Sequence, residues 1–125
     1  MVKVLFDTSI LVSAFVVSHP HHQSCADWLN RAKIREIDGL VATHTLAETY
    51  SVLTRLPLRP RISAHLAQQL ITENLERLET VPFAAKDYHA VMTNMVSLNL
   101  TGGSIYDALI AQAAIQQFSL LCGTS

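Results

Sequence analysis

Apolar positions follow two rhythms along this chain. Short, largely apolar runs, Val2 to Phe6, Leu40 to Thr43 and Leu120 to Cys122, and the strand-like stretch Leu78 to Phe83, have the length of buried strands. Between them the apolar residues recur at helical spacing. Cys25, Trp28, Leu29 and Ala32 predict a helix over 20–32, opened by Pro20, which suits a first turn. Leu46, Ala47, Tyr50, Leu53 and Leu56 predict one over 45–56, stopped by Pro57. Further helices are expected over 63–75 (Leu66, Leu70, Ile71), 84–98 and, after the Thr101-Gly102-Gly103 break, 105–117. Leu58-Arg59-Pro60-Arg61 reads as a loop, and Asp7-Thr8-Ser9 as a turn after the first strand. Short apolar strands alternating with amphipathic helices predict parallel βαβ units. The expected fold is a three-layer α/β sandwich: a short, mostly parallel central sheet flanked by helices, in one domain spanning 1–125.

Composition narrows the picture. The chain has 125 residues, 50% hydrophobic and 15% charged, which excludes intrinsic disorder. The low charged fraction points to an apolar patch made for a partner. A net charge of −1 offers no global basic field, so any nucleic acid must be bound locally. Cys25 and Cys122 form no zinc-type or redox pair. No apolar run approaches the ~20 residues of a membrane span, and no signal-like segment opens the chain. A reduced, cytoplasmic protein without a membrane partner is the expectation.

Three acids occupy equivalent places. Asp7 follows the first strand, Glu48 begins the helix after the second, and Asp107 opens the helix after the Gly-Gly break. Ligands of open α/β sheets bind outside the carboxyl ends of the strands, and only tertiary folding could gather acids separated by 41 and 59 residues. Carboxylates brought together repel unless a cation neutralises them, and an all-oxygen donor set favours Mg2+ or Mn2+ over zinc. Such a site can activate water against a phosphodiester. Each acid also has a plain structural explanation. Thr45 to Glu48 and Ser104 to Asp107 both fit a capping box, and Asp7 can cap the helix that follows it.

The segments Val4-Leu5-Phe6-Asp7-Thr8-Ser9-Ile10-Leu11-Val12, Thr43-His44-Thr45-Leu46-Ala47-Glu48 and Ile105-Tyr106-Asp107-Ala108-Leu109-Ile110-Ala111 together resemble a PIN-domain ribonuclease, and within that family the VapC-type toxins of bacterial toxin–antitoxin pairs. The resemblance implies an Mg2+- or Mn2+-dependent endoribonuclease, usually dimeric and restrained by an antitoxin protein. It implies that Asp7, Glu48 and Asp107 are the catalytic metal ligands and that Thr8, Ser9 and Ser104 are supporting hydroxyls. The family usually carries a further acid or Asn after a fourth strand. Here that region reads Cys122-Gly123-Thr124-Ser125, with Ser125 lying 18 residues beyond Asp107. The departure supports a second reading, a catalytically impaired PIN-like protein-interaction module.

Other features carry less. Arg55, Arg59 and Arg61 gather the basic density around Pro57 and Pro60, either as solvated charge or as phosphate contacts along an RNA. His19-Pro20-His21-His22 reads as a solvated helix entry more readily than as a zinc site. Trp28 and Tyr50 read as core or interface anchors. The apolar faces of helices 63–75 and 84–98 offer a groove for an antitoxin helix. No Gly-rich phosphate loop follows a strand, which disfavours a nucleotide-binding protein.

Overall fold

The computed structural model describes residues 2–123, with side chains through residue 114. The elements run β1 (Lys3–Leu5), α1 (Thr8–Phe15), α2 (His22–Lys33), β2 (Asp38–Ala42), α3 (Thr43–Arg55), α4 (Ala64–Leu75), β3 (Glu79–Val81), α5 (Ala85–Ser97) and α6 (Ser104–Gly123). The strands make one sheet in the order β1-β2-β3. β1 and β2 run parallel, with Lys3, Val4 and Leu5 opposite Asp38, Gly39 and Leu40. This is the expected α/β architecture of short strands flanked by helices.

By internal contacts the chain comprises two compact units, Met1–Thr80 and Val81–Ser125. The first is organised around Phe6, Leu11, Leu29, Val41, Leu75 and Leu78, with a neighbouring cluster of Val12, Val16, Leu53 and Ala67. The second has its own cluster of Val91, Met95 and Leu109, against which Phe83, Tyr88 and Ile105 pack. Among the described residues no helix is long and apolar enough to cross a membrane.

Local chemistry explains how the chain reaches the sheet edge. α2 stops at Ile34, and Arg35 takes a left-handed φ of 66°. The Arg35 and Glu36 N–H groups then donate to the carbonyls of Ala32 and Arg31 at 3.2 and 2.9 Å, satisfying the helix end and turning the chain into β2. Gly39 lets β2 lie close to its neighbours: a Cβ there would stand 2.7 Å from Ala32 Cβ and 2.8 Å from Leu78 Cγ. β2 then runs into α3 without a loop, because Ala42 is still extended and Thr43 is already helical.

Four expectations change. Residues 8–15, to which the apolar pattern gave no element beyond a turn although Asp7 reads as a helix cap, form α1. Its Leu11, Val12, Ser13 and Ala14 are all buried, so no polar face marks the helical period. α3 starts two residues earlier than predicted, so Thr45 lies inside it, fully buried, and does not cap it. Leu120-Leu121-Cys122 continues α6 and is not a strand; no Gly or Pro between Ser104 and Leu121 interrupts a run of strong helix formers. Trp28 and Tyr50 are 44% and 40% exposed and so are not core residues, and the Trp28 ring carries the Arg31 guanidinium 4.9 Å from its centroid.

Candidate active site

Asp7 is positioned by the strand behind it and the helix ahead. The ladder extends one residue past β1, the Phe6 N–H donating to the Leu40 carbonyl at 2.8 Å, so Asp7 leaves the sheet at the carboxyl end of β1. It is the N-cap of α1. Its Oδ1 accepts the Ile10 N–H at 3.0 Å and the Ser9 hydroxyl at 2.9 Å. Oδ2 accepts neither bond. The carboxylate thus caps α1 through one oxygen and keeps the other to spare.

Glu48 reaches the same sheet edge from β2. It sits in the second turn of α3, and its carboxylate stands 3.5 Å from His44 Nε2, one helical turn back. Because Thr45 is interior to the helix, no capping box joins it to Glu48. Thr8, Ser9 and Glu48 line one cavity of about 710 Å3, whose wall also includes Ser13, His19 and His21. The Oγ1 atoms of Thr8, Thr45 and Thr49 are buried without a hydrogen-bond partner.

Asp107 and Ser104 belong to the second unit. Asp107 is exposed in the first turn of α6. Ser104 is the first residue of that helix, and its hydroxyl donates to the Thr101 carbonyl at 2.7 Å. It is thus a turn-closing donor and not the predicted cap. Among the described residues no group of three or more His, Cys, Asp or Glu side chains comes together as a metal cluster. Arg55, Arg59 and Arg61 are all exposed. The Arg55 Nε donates to the Ser51 carbonyl at 3.1 Å, while Arg59 and Arg61 line a cavity of about 400 Å3 with Pro57, Leu58 and Pro60.

The histidine cluster departs from its sequence reading. His19 is half-buried and, with His21, forms part of the cavity that holds Glu48. The HPHH motif was visible in sequence, but nothing there placed it opposite an acid from α3. Thr45 was read only as a cap, and Thr49, one turn on, escaped notice because threonine on a helix more often faces solvent or bonds the preceding turn.

The family model for the PIN domain matches residues 4–120. The chain belongs to the PIN-domain family. Among curated relatives of this PIN domain, ribonuclease VapC27 of Mycobacterium tuberculosis is 32% identical over 110 residues, covering 88% of this chain and 75% of the relative. Ribonuclease VapC40 of the same species is 35% identical over 108 residues, covering 86% and 75%. These relatives put the domain among the VapC-type members. Two solved structures share its fold. VapBC2 from Rickettsia felis, bound to a DNA fragment from its promoter, aligns with a TM-score of 0.62 and 26% identity, covering 94% of this chain and 82% of that one. VapC20 of Mycobacterium tuberculosis, a toxin that cleaves the sarcin–ricin loop, aligns with a TM-score of 0.67 over 92% and 82%. At 16% identity that second likeness concerns the fold.

Proposed function

We propose that this PIN domain is a VapC-type endoribonuclease toxin that hydrolyses RNA phosphodiester bonds with Mg2+ or Mn2+ and is restrained by an antitoxin protein. The observation that carries this reading is the cavity at the carboxyl ends of β1 and β2. It holds Glu48, Thr8 and Ser9, and Asp7 is hydrogen-bonded to Ser9 beside it. Among the described residues no Lys or Arg lines that cavity, so they offer an entering phosphodiester no such cation there. Its donors are oxygens: the spare Oδ2 of Asp7, the Glu48 carboxylate and the partnerless Thr8 hydroxyl. Such donors fit a hard divalent ion, and Asp7 and Glu48 are the residues there that would hold it.

Bound there, the ion supplies a Lewis acid for the phosphoryl oxygens and a water of lowered pKa. The chain's own residues orient and select. Ser9 and the Ile10 N–H fix one oxygen of Asp7, so the other meets its ligand without reorganisation. His44 steadies Glu48 from one helical turn away. Ser104, closing the turn at Thr101, holds the start of α6 from which Asp107 projects. Arg55, Arg59 and Arg61 contact the RNA backbone, a role that positions the strand without reading its sequence.

The antitoxin meets apolar side chains exposed on a helix of each unit, Leu66 on α4 in the first and Met92 and Val96 on α5 in the second. A homodimer and a cytoplasmic setting complete the reading. The test is cleavage of total RNA by the purified chain with Mn2+. Fragmentation is expected, with loss on EDTA addition and in Asp7→Asn. Cleavage that survives both treatments would refute the assignment. A folded chain that binds an antitoxin but cuts no RNA would instead establish the impaired interaction module.

A further inference from the structure

We propose that His19 and His21 form a nucleobase subsite, stacking an unpaired base of single-stranded RNA beside the acidic end of the cavity. This deepens the RNA-hydrolase reading above and rests on it. The two imidazoles lie on the cavity wall with ring centroids 5.7 Å apart and planes tilted by 45°.

The hydrogen bonds assign the state of His19. Its Nδ1 accepts the His21 backbone N–H at 3.0 Å, so Nδ1 carries no proton. The proton of the neutral ring is then on Nε2, which faces Ser13 Oγ at 3.4 Å. Ser13 donates its own proton to the Ser9 carbonyl at 2.7 Å, so its oxygen is free to accept from Nε2. The neighbouring His22 reinforces this wall, its Nδ1–H donating to the Ser13 carbonyl at 3.0 Å. His19 is therefore a flat ring held at both nitrogens.

The rest of the lining agrees. Ile10, Val12 and Val52 are apolar, Ser24 offers a hydroxyl, and the cavity contains no Lys or Arg. A backbone phosphate finds no Lys or Arg on this wall and meets the repulsion of Glu48. A base finds flat π faces, apolar edges and neutral donors and acceptors, the combination by which proteins hold unstacked bases of single-stranded RNA.

His21 is the residue to change, because it is exposed and, although it is the N-cap of α2, its side chain makes no capping bond. The test uses the intact chain and fluorescein-labelled single-stranded oligoribonucleotides, read by fluorescence anisotropy in EDTA. The comparison ligand is an abasic oligonucleotide of the same length. The wild type is expected to bind the base-bearing strand about tenfold more tightly than the abasic one. His21→Ala should lose most of that preference, and His21→Phe, which keeps a flat ring, should retain it. Equal affinity of the wild type for both ligands, or a preference unchanged in His21→Ala, would overturn the subsite. Cleavage with Mn2+, measured in parallel on the same strands, separates the two claims. Base preference without cleavage would leave the subsite standing and refute the hydrolase reading. Cleavage without base preference would do the reverse.

Discussion

Asp7 has two tasks in this account, and two substitutions separate them. As the cap of α1 it accepts the Ile10 N–H at 3.0 Å; as a site residue it supplies a charged oxygen. Asp7→Ala removes both. Losing a side-chain cap costs about 1 kcal/mol, within a range of roughly 0.5–2. The Ser9 hydroxyl is exposed and exchanges its lost bond for water, so it adds little. For a chain of this size that loss corresponds to a fall in Tm of roughly 3–5 °C. Asp7→Asn keeps an acceptor in the same place, and Asn caps about as well as Asp. What it forfeits is the favourable charge at a helix N-terminus, at the low end of about 0.3–1 kcal/mol for a partly exposed group. The expected order of stability is wild type, then Asn close behind, then Ala about 1 kcal/mol below the wild type, while both variants lose RNA cleavage. Urea denaturation with matched m values measures the order. An alanine variant as stable as the wild type would show that the cap bond does not anchor α1. An asparagine variant no more stable than alanine would show that the charge, and not the cap bond, holds the start of α1.

Two further substitutions test the packing behind the site. Gly39→Ala puts a methyl within 2.7 Å of Ala32 Cβ and 2.8 Å of Leu78 Cγ and is expected to lower stability by about 1–3 kcal/mol; a neutral result in denaturant would mean β2 is free to move off α2. Thr49→Val replaces a buried hydroxyl that lacks a partner with a methyl of similar size. It is expected to raise stability by about 1 kcal/mol, read as a higher urea midpoint, and a fall would reveal that the hydroxyl is hydrogen-bonded after all.

Much of this was legible because each cue was local. Pro57 ended the third helix near the observed Arg55, and Ser63 marked the start of α4, where its hydroxyl accepts the Leu66 N–H at 3.1 Å. The place of Asp7 and Glu48 at the ends of successive strands followed from the alternation of runs and periods. The failures came where tertiary packing outweighed local preference. α1 is short, β-branched and buried on most sides, so neither its period nor its propensities identified it. Thr45 resembled a cap in sequence, but an extended Ala42 lets the helix begin two residues sooner and carries that threonine into the interior. The HPHH motif was visible as composition; its place in the cavity with Glu48 depends on how α3 lies against α1, which no spacing encodes.

A calorimetric Mn2+ titration of the purified chain beside its Asp7→Asn variant tests the central claim most directly. The account predicts saturable binding by the wild type and its loss in the variant, with both proteins giving the same folded signal in circular dichroism. Failure of the well-folded wild type to bind Mn2+, or equal binding by both chains, would contradict the claim that these carboxylates hold the catalytic ion.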